Sequence, residues 1–201
     1  MLPEQFCVRM KEMLGEEYAA FYASYDLPKY QALRINPLKT ERDTFLLQAP
    51  FSLNRVPWTT NGYYYSGNDQ PGRHPYHEAG VYYIQEPSAM APAEYLMAEP
   101  GERILDLCAA PGGKSTQIAC SMQGEGLIVC NEIHPARAKI LSENIERMGV
   151  CNALVTNETP QKLSDNFREY FDRILVDAPC SGEGMFRKNE DACDEWSPEN
   201  V

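Results

Sequence analysis

Between residues 103 and 179, short apolar segments alternate with longer segments that carry apolar residues at helical spacing. Short apolar runs are typical of buried strands, and a spacing of three and four residues is typical of amphipathic helices. This alternation predicts a parallel sheet covered by helices, an open α/β fold of the Rossmann type. The predicted strands are 103–109, 126–133, 152–157 and 171–179, and the predicted helices are 112–123, 135–149 and 160–170.

Residues 1–98 lack this alternation and predict a small α+β domain. Helical spacing in residues 3–25, interrupted at Gly15, predicts two helices. Residues 32–40 predict a short strand that ends at an Asn-Pro pair. We therefore expect two domains, with the Rossmann-like domain formed by residues 99–201.

Residues 61–88 combine tyrosines with turn residues, which favours short strands and loops around a small aromatic core over a base-stacking platform. Residues 86–99 predict a helix, with Ser88 as its N-cap and Pro100-Gly101 after its end.

The seven cysteines and three histidines argue against a metal site and against a disulfide framework, because no two cysteines have the C-x-x-C spacing. Four cysteines lie in or beside apolar segments, where a free thiol packs as a small hydrophobic residue. These are Cys108, Cys120, Cys130 and Cys151.

The formal net charge is −11, with 8 basic and 12 acidic residues in 1–100 and 10 and 17 in 101–201. This balance counts against a stand-alone nucleic-acid-binding protein, which usually has a basic excess. No run reaches the roughly 18 apolar residues that span a bilayer, so we expect no membrane partner. The acidic N-terminal segment does not resemble a signal peptide, and we expect a cytoplasmic location.

Residues 104–119, ILDLCAAPGGKSTQIA, have the form of a nucleotide-type site. A predicted strand ends, small residues make a tight turn, and a helix begins with its N–H groups facing a cleft. Gly112 and Gly113 allow backbone to approach a ligand closely. Many tight turns need glycine for geometry alone, so this loop by itself leaves the ligand open.

The Gly-Lys pair at 113–114 also suggests a phosphate loop, as in an ATPase. That motif requires glycine five residues before the pair, where this chain has Cys108. Pro111 also lacks an N–H group that a phosphate cradle would use. Both observations argue against the ATPase alternative.

Three polar residues follow predicted strands at the carboxyl edge of the sheet. Glu132 lies 20 residues after Gly112, where a carboxylate suits ribose hydroxyls, and a solvated acid is the alternative. Asn157 either lines an adenine pocket or forms a turn. We expect Asp177 and the turn at 108–114 to face one shared cleft.

Cys180 lies in the loop PCSGEG after the fourth predicted strand. Its thiol is a candidate nucleophile, metal ligand or packing group. The loop position favours a chemical role over packing, and the two glycines that follow suggest close approach by a large, flat partner.

The segments DLCAAPGGKST, DRILVDAPCSGEGMFRK and WSPEN together resemble the NOL1/NOP2/Sun family of RNA cytosine-5 methyltransferases. The segments LRINPLK and HPYHEAGVYYIQEPSAMAPA are similar to the bacterial branch of RsmF-type enzymes that modify ribosomal RNA. The resemblance covers nearly the whole chain.

This resemblance implies that the chain binds S-adenosylmethionine and acts on ribosomal RNA. Glu132 would hold the ribose hydroxyls of the cofactor, Asn157 would lie at its adenine, and Asp177 would lie beside the cofactor and the target base. Arg187 and Lys188 would contact RNA phosphates. The turn around the methionine and ribose side would consist of Cys108, Ala109, Ala110, Pro111, Gly112, Gly113 and Lys114.

In this family a thiolate adds to carbon 6 of cytosine, and carbon 5 then takes the methyl group. Asp177 would stabilise the adduct near ring nitrogen 3. The attacking thiol comes from a later Thr-Cys motif, and the Pro-Cys cysteine, here Cys180, assists release of the product.

The chain departs from the family pattern because it stops at Val201, before a fifth strand or a Thr-Cys motif. We therefore expect a fragment that is inactive alone, with an uncovered fourth strand. A non-catalytic protein that binds S-adenosylmethionine or RNA is the alternative. The sequence leaves the target cytosine and the oligomeric state open.

Overall fold

The computed structural model describes residues 2–187 and 191–201. Two compact units are formed, a central unit of residues 30–177 and a terminal unit of residues 1–29 and 178–201. The helices of the described residues are α1 (Glu4–Leu14), α2 (Tyr18–Ala23), α3 (Arg42–Gln48), α4 (Pro75–Glu78), α5 (Pro87–Leu96), α6 (Gly113–Met122), α7 (Pro135–Met148), α8 (Pro160–Asn166) and α9 (Asp191–Asp194). The strands are β1 (Ala32–Ile35), β2 (Leu53–Arg55), β3 (Gly62–Tyr65), β4 (Tyr82–Ile84), β5 (Arg103–Asp106), β6 (Leu127–Asn131), β7 (Ala153–Thr156) and β8 (Arg173–Leu175).

The second half of the central unit contains a parallel sheet with the strand order β7-β6-β5-β8. The central strands β5 and β6 are buried along almost their whole length, because helices cover both faces of such a sheet. The predicted four-stranded α/β fold is confirmed, although each strand is shorter than its apolar run. β8 is an edge strand, and Ile174 on it is 53% exposed.

Helices α6 and α7 pack on this sheet through a continuous apolar core. Ile118 and Met122 of α6 and Leu141 of α7 are fully buried in it. Pro135 begins α7 and Gly149, with a φ of 74°, ends it, as the sequence predicts.

The first half of the central unit contains an antiparallel sheet with the order β2-β3-β1-β4. Its core is small and partly aromatic, as the tyrosine-rich segment predicts, with Leu33, Phe45, Tyr63 and Tyr82 buried together. β1 is central and is buried along its whole length. One of its four buried residues is a charged arginine, Arg34.

The start of α5 differs from the prediction. Glu86 occupies the N-cap position and Pro87 the first turn, so the N-cap expected at Ser88 is wrong. The fixed φ of proline suits the first helical position, and its missing N–H costs nothing there. The helix ends earlier than expected, at a left-handed Met97.

The terminal unit contains the predicted pair of N-terminal helices, α1 and α2, separated by a 3-10 turn that begins at Gly15. The ring of Phe6 packs edge-to-face on Phe186, with centroids 4.9 Å apart, and on Trp196. Glu183 accepts hydrogen bonds from both Arg9 and the Trp196 indole. Distant parts of the sequence therefore share one small aromatic core.

None of the seven cysteines, all of which lie among the described residues, forms a disulfide bond. Cys120 and Cys130 are buried as expected and Cys108 is partly buried, but Cys151 is exposed, so its expected packing is wrong. Cys151 lies in the turn between α7 and β7 rather than in the strand itself. Within residues 2–187 and 191–201, no helix combines the length and the apolar character needed to cross a bilayer.

Candidate cofactor site

The segment of residues 108–114, here called the cofactor loop, is the centre of the candidate site and includes the turn after β5 and the first two residues of α6. A cis peptide bond joins Ala110 to Pro111. Gly112 has a φ of +109°, a left-handed conformation that strains other residues, and a Cβ at this position would lie 3.2 Å from Leu141 Cδ1. The conformation therefore favours glycine here, and a Cβ would also force the buried Leu141 side chain to shift by a few tenths of an ångström.

Asp106, the last residue of β5, lies directly before this loop and was not identified from the sequence. Its side chain is almost fully buried, and Ser115 donates a hydrogen bond of 2.7 Å to its Oδ2. Its Oδ1 accepts no hydrogen bond from the described residues. Burial raises the pKa of Asp106 to about 6, with the nearby Asp177 charge adding to the effect.

Glu132 follows β6 and is also buried. Its Oε1 accepts a 2.9 Å hydrogen bond from the backbone N–H of His134, and its Oε2 lies 3.3 Å from Arg137 Nη1. Arg137 also donates to the carbonyl of Ala110 at 3.0 Å, so it links this carboxylate to the cofactor loop. Arg137 is a second residue that the sequence reading missed.

Asp177 lies two residues beyond β8, and its carboxylate is largely exposed. Its Oδ2 accepts a 2.7 Å hydrogen bond from Lys114 Nζ. The structure therefore places the end of the cofactor loop and Asp177 side by side, in the relation expected from the sequence. Asn157 donates to the backbone carbonyl of Glu132 at 2.6 Å, so its amide nitrogen already holds the end of β6.

These three acids place negative charge around the cofactor loop, and the cations Lys114 and Arg137 offset part of it. Burial raises the pKa of the Cys108 thiol, and the carboxylates of Asp106, Glu132 and Asp177 raise it further. Three carboxylates therefore act on one thiol at the start of the loop. Such a field attracts a cation and repels a triphosphate, which agrees with the absence of the phosphate-loop glycine at position 108.

Two other predicted residues lie in the terminal unit. Cys180 is exposed. Arg187 is partly buried, and its Nη2 donates to the carbonyl of Leu27 at 2.7 Å, so part of its guanidinium is already used within the protein. Lys188 lies outside the described residues.

Comparison with protein families gives two consecutive matches. Residues 2–87 match the profile of the N-terminal domain of 16S rRNA methyltransferase RsmF. Residues 93–201 match the profile of 16S rRNA methyltransferase RsmB/F. The chain belongs to the RsmB/F family. This membership confirms the resemblance found in the sequence motifs.

Comparison with individual proteins also finds relatives of the RsmF type. A ribosomal RNA small subunit methyltransferase F from Escherichia coli O157:H7 is 39% identical over 98% of this chain, which spans 44% of that relative. The chain thus spans less than half the length of the curated relatives it matches.

Solved structures share the fold. The crystal structure of PH0851 superposes with a TM-score of 0.90 at 25% identity, over 100% of this chain and 46% of that one. A methyltransferase homologue from Pyrococcus horikoshii superposes with a TM-score of 0.81 at 30% identity, over 93% of this chain and 62% of that one.

Proposed function

We propose that this chain binds S-adenosylmethionine and belongs to an enzyme that methylates carbon 5 of a cytosine in ribosomal RNA. The observation that carries the proposal is the group of three carboxylates, Asp106, Glu132 and Asp177, around the cofactor loop. S-adenosylmethionine is positively charged at its sulfonium and at its amino group, so these carboxylates favour it over an anionic nucleotide. The descriptions of the family and of its relatives name 16S or small-subunit ribosomal RNA, which supports that substrate.

The side chains present fit such a cofactor. The cofactor loop would wrap the methionine and ribose side, and Glu132 would accept hydrogen bonds from the ribose hydroxyls. Asp106 Oδ1, a buried acceptor without a partner among the described residues, would accept one from the amino group. Asn157 would lie at the adenine. When bound, the cofactor supplies an electrophilic methyl group.

Asp177 would act on the target base. Its carboxylate is exposed, and the contact with Lys114 holds it at the end of the cofactor loop. In this position the protonated carboxyl would donate to ring nitrogen 3 of cytosine and stabilise the adduct formed when a thiolate adds to carbon 6. The attacking thiol would come from a Thr-Cys motif, as in the family.

Cys180 would assist release of the methylated RNA as the base that removes the proton from carbon 5, after which β-elimination breaks the bond between carbon 6 and the attacking sulfur. Its exposure makes the thiol accessible to a substrate. Arg187 and Lys188 would contact RNA phosphates. We further propose domains at residues 1–98 and 99–201, and a cytoplasmic location, where ribosomal RNA is found.

Calorimetry of the chain with S-adenosylmethionine, and separately with ATP, tests the proposal. We expect saturable binding of S-adenosylmethionine and no binding of ATP at the same concentrations. Tighter binding of ATP would contradict the proposal. Bisulfite mapping of ribosomal RNA, from cells with and without the intact gene, then tests the reaction itself, and an unchanged pattern of methylated cytosines would reject it.

A further inference from the structure

Arg34 is a buried charge in the middle of the antiparallel sheet. Its side chain is 1% exposed, and it forms no ion pair with a carboxylate of residues 2–187 or 191–201. Burial lowers its pKa, because the charged form has lost its water. A buried guanidinium is tolerated only when hydrogen bonds replace that water, so the acceptors around Arg34 are informative.

Those acceptors lie mainly on the neighbouring parallel half of the central unit. Arg34 Nη2 donates to the carbonyl of Gly113 at 3.1 Å and to Thr116 Oγ1 at 2.7 Å. Nη1 lies 3.7 Å from Cys120 Sγ, and Nε donates to Gln85 Oε1 at 3.0 Å. Arg34 therefore holds the first turn of α6, which continues directly from the cofactor loop.

Thr116 connects Arg34 to a second carbonyl of the cofactor loop by hydrogen bonds. Its hydroxyl accepts from Arg34 and donates to the carbonyl of Gly112 at 2.8 Å. One guanidinium thus supports the carbonyls of both loop glycines, Gly113 directly and Gly112 through the threonine, in addition to the backbone hydrogen bond that Gly112 accepts from the Thr116 N–H at 2.9 Å.

The two preceding carbonyls are held by side chains of α7. Arg137 donates to the carbonyl of Ala110 at 3.0 Å, and Asn144 donates to that of Pro111 at 2.8 Å. Four consecutive carbonyls, from residue 110 to residue 113, therefore each accept a side-chain hydrogen bond. In a planar trans peptide the carbonyl and the following N–H point in opposite directions, so fixing the carbonyls of Gly112 and Gly113 also fixes the next two N–H groups.

Close packing leaves the cofactor loop little freedom to shift towards the antiparallel sheet. The Tyr83 ring lies beside two guanidinium groups, 5.8 Å from Arg34 Cζ and 5.5 Å from Arg147 Cζ. A Cβ at Gly113 would lie 3.3 Å from Tyr83 Cε1. The sheet thus approaches the loop backbone through a ring that itself contacts two guanidinium groups.

We propose that Arg34 is a positioning residue of the cofactor site, which makes the antiparallel sheet part of that site. Its role is to hold the carbonyls of Gly112 and Gly113 away from the ligand, so that the N–H groups of the loop face it. The inference rests on the proposed function for the identity of the ligand, S-adenosylmethionine. The geometry of the loop is independent of that identity.

The test compares Arg34→Lys with Asn36→Ala. Asn36 is the control because it is buried directly after the same strand and donates two hydrogen bonds of 2.8 Å, to the carbonyls of Gly80 and Met148 rather than to the cofactor loop. Its Oδ1 accepts from Cys120 Sγ of α6 at 3.4 Å, away from the loop carbonyls. We expect Arg34→Lys to weaken S-adenosylmethionine binding about tenfold, as for the loss of one hydrogen bond to a charged group. Asn36→Ala should change the Kd by less than about threefold at a temperature where both variants are folded.

Amide hydrogen exchange supplies a second measurement that does not depend on the ligand. We expect faster exchange in residues 108–117 of the Arg34→Lys variant and no such change in the Asn36→Ala variant. Thr116→Val should reproduce the loss of affinity and Thr116→Ser should restore it, which gives an independent pair of variants if Arg34→Lys does not fold.

The outcomes separate the two proposals. If the unaltered chain binds S-adenosylmethionine but Arg34→Lys changes neither affinity nor exchange, or matches Asn36→Ala in both, the positioning role is wrong. If the unaltered chain does not bind S-adenosylmethionine, the proposed function fails. The exchange measurement alone then tests the positioning role. Faster exchange that is confined to Arg34→Lys would support it, and unchanged exchange would contradict it.

Discussion

Asp106 and Glu132 follow neighbouring parallel strands, and both are almost fully buried, but their surroundings differ. Both oxygens of Glu132 have partners, the N–H of His134 and the guanidinium of Arg137. Only one oxygen of Asp106 has a partner among the described residues, Ser115. The carboxylate of Glu132 is therefore paired within the protein, whereas that of Asp106 retains an oxygen without a hydrogen-bond partner among the described residues.

This difference has one consequence for the stability of the folded chain and another for ligand binding. A buried carboxylate with a cationic partner can remain ionised at moderate cost, whereas a carboxylate that is only partly compensated destabilises the folded chain when ionised. The raised pKa of Asp106, about 6, is the signature of that cost. A cationic ligand at Asp106 would remove this destabilisation, so part of the binding free energy would come from compensating a buried charge that the protein leaves poorly paired.

Replacing Glu132 should produce the largest effect. We expect Glu132→Gln to weaken S-adenosylmethionine binding about a hundredfold, because two charge-assisted hydrogen bonds to ribose hydroxyls would be lost. Calorimetry measures the change, and Glu143→Gln, an exposed acid on α7, is the control. A Kd within about threefold of the original would remove Glu132 from the site.

Asp106→Asn should act in opposite directions on binding and on stability. We expect the affinity for S-adenosylmethionine to fall about tenfold and the free energy of unfolding at pH 8 to rise by on the order of 2 kcal/mol, since a buried charge is removed. Denaturant titration without the cofactor measures the second effect. A variant that loses both affinity and stability would show that the carboxylate supports the fold instead.

The pH dependence should identify Asp106 directly. Its folded-state pKa, about 6, lies above the ordinary value of 3.8, so its favourable contribution to stability is complete below pH 3.8 and is lost as the pH rises through 6. The stability gained in Asp106→Asn should therefore shrink as the pH falls from 8 to 4. Cofactor affinity of the unaltered chain should fall about fivefold between pH 7 and pH 5, and the variant should show no such step.

The contact between Lys114 and Asp177 should matter least to stability. It is an ion pair with an exposed carboxylate, so we expect Lys114→Met to change the free energy of unfolding by less than about 1 kcal/mol. Denaturant titration measures the change. A loss above about 2 kcal/mol would mean that this pair holds the cofactor loop in place.

The sequence predicts the parallel sheet well because its strands are apolar runs bounded by helices, and it predicts the glycine turn because the turn needs glycine locally. It places Glu132 and Asp177 near that turn because the carboxyl ends of parallel strands meet at one edge of a sheet. The sequence prediction was wrong where two local rules favoured different residues for the start of one helix. At the start of α5, Pro87 took the first helical position, so Ser88 could not serve as the cap.

The residues that support the loop could not be predicted in the same way. Arg34 and Gly113 are 79 residues apart, and only the fold brings them together. A signal was nevertheless present for two of the missed charges, because Arg34 lies within the apolar strand β1 and Asp106 lies within the largely apolar run of residues 104–109. A charge in such a position must find buried partners, but the sequence does not name them.

The side-chain support of the four loop carbonyls also bears on where the protein could be cut. The two family profiles leave a gap between residues 87 and 93, and a chain could be cut in this gap to express the second half by itself. A shortened protein that began there would lack Arg34, Gln85 and Tyr83, and one flank of α6 would lose its covering. Because residues 30–177 form one compact unit, we expect a protein cut at this gap to lose support at the start of α6 unless β1 and β4 are retained.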